Sequence, residues 1–109
     1  MKIEIHTLNS TALWDKIKKD ITDKKIKTWS IVQDANKNEY LTHNPEQWLN
    51  KALLKPSTAT NPIRLILTVV NWFTNSEPTE YIKGLYIGRF TEELLEHYRK
   101  DFTKLETFA

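Results

Sequence analysis

The stretch IRLILTVVNWF, residues 63–73, decides the fold, because it is the part of the chain with the strongest β-propensity. Its apolar side chains occupy both alternating sets of positions in an extended strand: Ile63, Leu65, Leu67 and Val69 in one set, and Ile66, Val70 and Trp72 in the other. A strand with this pattern needs cover on both faces of its sheet. We therefore predict a central strand, with helices over one face.

The composition predicts a single domain over residues 1–109. Hydrophobic residues make up 39% of the chain and include four each of Trp, Tyr and Phe, which is enough apolar surface for a packed core. The absence of cysteine excludes disulfides and cysteine-based zinc sites, and suits a reducing, cytoplasmic location. We expect no export signal and no membrane-spanning segment, because the residues after Met1 are charged and the longest apolar run is short.

Four elements are predicted in the first 42 residues. Alternating apolar and polar residues indicate a first strand over Lys2–His6. A helix capped within residues 9–11 should follow and end near Lys24, because its apolar residues are spaced three and four apart. Residues 26–33 and 39–42 are predicted to pair as a hairpin, since the polar segment between them favours a turn.

The segment after the hairpin is predicted to form a short helix and then a loop. In Asn44–Gln47 the asparagine can cap a helix, the proline suits the first helical position, and the glutamine can complete a capping box. The apolar spacing over residues 48–53 continues this helix, and Pro56 would end it. The polar, proline-bounded residues 56–62 should then form a loop.

Beyond residue 73 the sequence predicts a turn, a strand, a helix and a last strand. Thr74–Glu80 contains turn-forming residues and should lead into an antiparallel partner strand over Tyr81–Phe90. Thr91 would cap the next helix, and Lys104–Phe108 would form a short final strand. The expected fold class is α+β: a mostly antiparallel sheet of four to six strands with two longer helices and one short helix.

The two glycines of the chain, Gly84 and Gly88, flank Tyr86 and would share one face of the predicted partner strand. Glycine weakens a strand by roughly 0.5–1 kcal/mol relative to alanine, so two of them indicate a close approach to the backbone. Either an aromatic ring of the chain itself fills this space, or a ligand, a base or a partner chain does.

The charged residues show no specific catalytic or metal-binding pattern. The lysine-rich stretch from Lys16 to Lys27 is interpreted as a solvated helix face, with phosphate binding as the alternative. Glu93, His97 and Asp101 recur every four residues, which is typical of ion pairing on a helix surface rather than of a metal site. We therefore predict no catalytic residue, no metal and no cofactor.

One segment partly resembles a known family. The octapeptide KGLYIGRF, residues 83–90, resembles the Lys-Gly-aromatic-Gly-aromatic-Val-x-aromatic motif of RNA-recognition motifs. It agrees at Lys83, Gly84 and Phe90, whereas Leu85 and Ile87 stand where that family has its base-stacking aromatics. The order of the predicted elements also resembles a ferredoxin-like split βαβ fold with an insertion.

The predicted function is that of a non-enzymatic protein-interaction module, homodimeric and binding through an aromatic-rich sheet face. Excess apolar sheet surface favours this function, because an uncovered face needs a second protomer or another protein. The alternative is weak single-stranded nucleic-acid binding, in which Tyr86 stacks on a base. A small enzyme with a pocket near His6 or His97 is a third class, and no membrane partner is expected. The predicted binding residues are Trp72, Lys83, Gly84, Tyr86, Gly88 and Arg89.

Overall fold

The computed structural model describes residues 1–73 and 76–109. Its elements are β1 (Lys2–His6), α1 (Ser10–Thr22), β2 (Trp29–Gln33), β3 (Glu39–His43), β4 (Leu53–Ala59), β5 (Arg64–Val70), α2 (Glu80–His97) and β6 (Lys104–Phe108). The strands form one sheet in the order β2-β3-β4-β5-β1-β6, and every neighbouring pair is antiparallel. The central strand expected within residues 63–73 is therefore confirmed, because β5 lies between β4 and β1. Residues 74 and 75, at the start of the predicted turn, lie outside the described residues.

The first four elements form close to where the sequence pattern predicts them, although β2 begins at Trp29 and not at residue 26. Helix α1 begins after Asn9, whose side-chain oxygen accepts a hydrogen bond of 3.0 Å from the Ala12 N–H. The β2–β3 hairpin turns over Asp34, whose carboxylate accepts from the backbone N–H groups of Asn36 and Asn38, each at 2.9 Å. These bonds pair backbone N–H groups that would otherwise have no partner within the turn.

Both helices pack on the same face of the sheet, which we call the covered face. The register of β1 and β5 places Ile3 beside Leu67 and Ile5 beside Leu65, and these side chains form one core with the buried stripes of the helices. Trp29 is fully buried there, and the rings of Tyr86 and Phe90 meet it edge-on at centroid distances of 5.6 and 5.0 Å. Such edge-to-face pairs stabilise beyond their buried area.

The short helix predicted from Asn44–Gln47 is wrong. Asn44 does not cap a helix, because its side chain donates to the Lys27 carbonyl and accepts from the Ser30 hydroxyl. The segment forms turns instead: the Trp48 and Leu49 N–H groups both donate to the Pro45 carbonyl, at 2.8 and 3.0 Å, and the chain then takes a positive φ of 61° at Asn50. Hydrogen bonds across the hairpin therefore outcompete the local cap.

The loop predicted for residues 56–62 is also wrong in its first half, which belongs to β4. Pro56 lies beside Leu67 of β5 in a pair without backbone hydrogen bonds. Its neighbours Lys55 and Ser57 form the hydrogen-bonded pairs with β5. The proline nitrogen therefore points toward β3, which is in register with β4 only at Leu54. A proline without an N–H donor is tolerated at a position where the ladder needs no donor.

The partner strand predicted over Tyr81–Phe90 is wrong as well, because these residues form the first half of α2, and Thr91 lies within that helix instead of capping it. Thr79 caps α2 by accepting from the Ile82 N–H at 3.2 Å. Every fourth residue from residue 82 onward is apolar and faces the core, and the helix turns Gly84 and Gly88 to its exposed side, whereas a strand would place both glycines on the same face as these apolar residues. These residues are Ile82, Tyr86, Phe90, Leu94 and, just past the helix, Tyr98.

The observed fold class is α+β, with a six-stranded antiparallel sheet and two helices, and β6 forms at Lys104–Phe108 as predicted. The resemblance to a ferredoxin-like fold is not confirmed. Within the described residues, no helix is both long enough and apolar enough to cross a membrane.

Candidate functional site: the open face of the sheet

The second face of the sheet, which we call the open face, has neither helix packed on it in the described part of the chain. Strand register places Val70 beside Leu53 on this face, and places Ile66 beside Glu4. Leu53 is only 1% exposed, yet it lies outside the core of the covered face. The open face therefore has apolar packing of its own, separate from the core.

Aromatic side chains after β5 form the apolar half of the open face. The rings of Trp72 and Phe73 contact each other at a centroid distance of 5.1 Å. The Phe73 ring meets the edge of Tyr40 at 5.5 Å, and Tyr40 faces the open side because its neighbour Leu41 is in the core. Phe73 is 45% exposed, so this half presents aromatic surface to solvent.

Charged side chains form the other half of the open face, over β5, β1 and β6. Glu4 is 8% exposed, and its carboxylate lies 2.9 Å from the Lys2 ammonium and 3.5 Å from Arg64 Nε. Burial of a carboxylate is unfavourable without a partner of opposite charge. Lys2 and Arg64 therefore offset the cost of placing Glu4 inside the sheet face.

His6 and Glu106 complete this charged half, with His6 Nε2 lying 2.7 Å from Glu106 Oε1. The hydrogen bond from His6 lowers the pKa of Glu106, and Lys104 at 3.6 Å acts in the same direction. One ligand atom each from Glu4, His6 and Glu106 lies within 4.8 Å of the others, a spacing that a metal ion could bridge. Three basic side chains already neutralise these carboxylates, so an ion-pair network explains the cluster better than a metal site.

Tyr86, predicted as the centre of the binding surface, lies on α2 and is fully buried. Its hydroxyl donates to the Trp48 carbonyl at 2.5 Å and lies 3.2 Å from the Thr42 hydroxyl. Tyr86 thereby fixes the turn after β3 to the core. A buried ring with a bonded hydroxyl has no face on which a base could stack.

The other predicted binding residues lie on two separate surfaces. Lys83 and Arg89 are on α2, where Lys83 pairs with Glu77 and Glu80, and Arg89 lies 3.4 Å from Glu92. Trp72 is the predicted residue that lies near the open face, through its contact with Phe73. The structure therefore does not bring the six residues into one site, and their role in binding stays a prediction.

Gly84 and Gly88 lie on the exposed side of α2, one helical turn apart. A Cβ atom added at either position would meet no heavy atom within 4 Å. The idea that an aromatic ring of the chain itself fills this space is therefore wrong for the described residues. The approach of a ligand or partner chain to these glycines stays a prediction.

The sequence pattern did not predict the burial of His43, which lies at the end of β3. Its Nδ1 donates to the Thr28 carbonyl at 2.9 Å, and its ring lies 4.5 Å from that of Trp29. Burial lowers the pKa of His43, with smaller effects from nearby charges. The neutral imidazole is therefore the form that the fold stabilises. The available signal for its burial was its spacing from Leu41, because residues two apart in a strand lie on the same face.

The ladder of Glu93, His97 and Asp101 forms only in part. His97 Nε2 lies 3.3 Å from a carboxylate oxygen of Glu93, which is the expected pairing on a helix surface. Asp101 instead pairs with Lys16 at 2.9 Å, because α2 ends at His97 and the chain turns back toward α1.

Comparisons of this chain with protein-family models, with curated proteins and with solved structures found no match.

Proposed function

We propose that this protein is a non-enzymatic protein-interaction module that self-associates through the open face of its sheet. The observation that carries the proposal is the aromatic surface at the Trp72–Phe73 contact, which lies outside the core and leaves Phe73 45% exposed. Apolar surface that the chain leaves partly exposed is stabilised when a second surface covers it.

A second copy of the chain suits this face because the face carries both charge signs. In a two-fold symmetric contact the same patch meets itself, so it must be self-complementary. The basic side chains of Lys2, Arg64 and Lys104 lie on the same face as the carboxylates of Glu4 and Glu106. Each copy can therefore offer cations to the anions of the other while the aromatic halves meet.

The test is the mass of the protein in solution, measured by light scattering on a size-exclusion column over a range of concentrations. We expect twice 12.9 kDa for the natural sequence. Ile66→Lys should shift the mass to that of the monomer, because it places a charge in the contact. The new lysine lies beside Glu4 in the register, so the folded monomer can accommodate it.

The matched control is Leu95→Lys, which adds the same charge on the exposed side of α2, where Leu95 is 52% exposed. This variant should keep the mass of the natural sequence. A natural sequence that is monomeric at every concentration would overturn the proposal, and so would equal dissociation of both variants.

We also propose a relation to the split βαβ arrangement for the fold. Strands β5 and β6 flank β1 and are joined through α2, and β4 lies on the far side of β5. The proposal is supported by this strand order, which a ferredoxin-like sheet would have if the β2–β3 hairpin extended it at one edge. Nucleic-acid binding through Tyr86 is not supported, because a ring that is fully buried cannot stack on a base.

A further inference from the structure

The outer edge of β2 has no neighbouring strand in the described residues, because β2 is the first strand of the sheet order. Two backbone hydrogen bonds just beyond the strand fix its pairing with β3. The Asn44 N–H donates to the Thr28 carbonyl at 2.7 Å, and the Asp34 N–H donates to the Asn38 carbonyl at 3.1 Å. Both bonds belong to the register in which Ser30 faces Thr42.

Hydrogen-bonded pairs alternate along an antiparallel ladder, so Ser30 and Val32 are the residues of β2 that bond to β3. The backbone N–H and C=O groups of the other three residues of β2 point away from the sheet. No hydrogen bond among the described residues reaches these outward groups. They belong to Trp29, Ile31 and Gln33.

A groove of about 490 Å³ runs beside this edge, between β2 and the end of α1. Its walls include apolar side chains and two lysines, and no acidic residue lines it. The apolar residues are Ile21, Ile26, Trp29 and Ile31, and the lysines are Lys24 and Lys27. An edge strand beside an apolar groove is the geometry in which proteins bind an extended peptide as an added strand.

The two groove lysines differ from the paired lysines of α1. Lys16, Lys18 and Lys19 of α1 each form an ion pair with a carboxylate. Lys24 and Lys27 form none with the described residues. The groove therefore has positive charge that the described part of the chain does not neutralise, and it complements a negatively charged ligand.

The opposite edge of the sheet is protected against strand addition. Strand β6 carries Lys104 and Glu106, and charged side chains on an edge strand oppose pairing with another chain. Strand β2 has the sequence WSIVQ, without a charge or a proline. The two edges therefore differ in the property that controls strand addition.

We propose that β2 binds an extended acidic peptide segment of a partner protein as a seventh strand. The peptide backbone bonds to the outward groups of β2, alternate apolar side chains enter the groove, and acidic side chains pair with Lys24 and Lys27. A second copy of β2 fits less well, because it would bring the same lysines of both copies together. This surface is distinct from the open face, so the two proposals stand or fall separately.

Hydrogen exchange measured residue by residue by NMR tests the proposal, with a synthetic peptide of alternating glutamate and valine as the probe. In the free protein the amides of Ile31 and Gln33 should exchange fast, and those of Ser30 and Val32 slowly. Saturating peptide should slow exchange at Ile31 and Gln33. A peptide of alternating lysine and valine should leave it unchanged.

Variants separate the charge and the backbone contributions. Lys24→Glu combined with Lys27→Glu should weaken binding of the glutamate peptide by about tenfold, while Lys25→Glu, next to them but outside the groove, should weaken it far less. Gln33→Pro removes an outward N–H and should weaken binding, whereas Gln33→Ala keeps this donor and should not.

Three results would overturn the proposal. The first is no binding of the glutamate peptide to the folded natural protein. The second is binding without added protection at Ile31 and Gln33. The third is protection at these residues that grows with protein concentration in the absence of peptide, since it would assign the edge to a second copy.

Discussion

On the covered face of the sheet, neighbouring strands bring together apolar side chains, whereas on the open face the same strands bring together ionic and apolar ones. Leu67 of β5 is fully buried beside Ile3, while the preceding residue, Ile66, is half-buried beside Glu4. Burial of apolar area is the main source of stability, and ion pairs contribute little to it. The covered face therefore stabilises the fold, and the open face is available for contacts.

The largest expected difference is between two adjacent residues of β5. Leu67→Ala should lower the free energy of unfolding by about 3–5 kcal/mol, because it leaves a cavity in the core. Ile66→Ala should lower it by about 1 kcal/mol, because its site on the open face is already partly hydrated. Urea denaturation of both variants at low protein concentration measures the difference. Equal losses would mean that the open face is packed as tightly as the covered one.

The ion-pair network of the open face should have the next largest effect. Glu4→Ala should cost about 1–3 kcal/mol, because it leaves the partly buried Lys2 and Arg64 without their carboxylate. Lys104→Ala, at the exposed margin of the same network, should change the free energy of unfolding by less than about 0.5 kcal/mol. If both variants had the same small effect, the Glu4 cluster would contribute no more than ordinary surface charges.

Substitutions of the two glycines on the exposed side of α2 should raise the free energy of unfolding instead of lowering it. Gly84→Ala and Gly88→Ala should each raise the free energy of unfolding by up to about 1 kcal/mol, because alanine favours a helix and its Cβ meets no neighbour. Thermal or urea denaturation of the single and double variants tests this expectation. A loss of stability in either variant would show that a group outside the described contacts occupies the space.

The smallest expected effects are on the pH dependence of stability. His43 on the covered face and Glu106 on the open face should contribute in different pH ranges. Burial lowers the pKa of His43 on the covered face below its ordinary value of 6.5. The unfolded chain then binds the proton more readily, so this stabilisation is complete above pH 6.5 and is lost as the pH falls toward the folded-state pKa. His43→Asn keeps a donor for the Thr28 carbonyl and should remove this dependence.

On the open face, the pKa of Glu106 is lowered from its ordinary value of 4.5, mainly by His6. The stability that comes from its ionised form is complete above that value and is lost only as the pH falls below it. Glu106→Gln should therefore change the stability profile at a lower pH than His43→Asn does. Denaturation curves at a series of pH values measure both, and a shared pH range would contradict the assignment.

Sequence reasoning located the elements whose local pattern and tertiary role agree. The alternation over Lys2–His6, the spacing of Leu13, Ile17 and Ile21, and the turn around Asp34 each have one favourable structure. For the open face, the sequence predicted that β5 carries apolar side chains on both of its faces and that Trp72 lies near this face. It did not predict the edge of β2, because which strand lies at an edge depends on the order of all six.

The sequence by itself determined the fold class, the central position of β5 and the apolar surplus on its second face, because these follow from side-chain alternation within one segment. Only the tertiary structure decided that residues 80–97 form a helix, since their β-branched and aromatic residues favour a strand and their glycines disfavour a helix, while packing against the core stabilises the helix through the apolar residue at every fourth position. The tertiary structure also decided that the Asn44 side chain bonds to Lys27 and Ser30 instead of capping a helix, and that Pro56 lies within β4. In each of these places, contacts between residues far apart in sequence outweigh local preferences of about 1 kcal/mol or less.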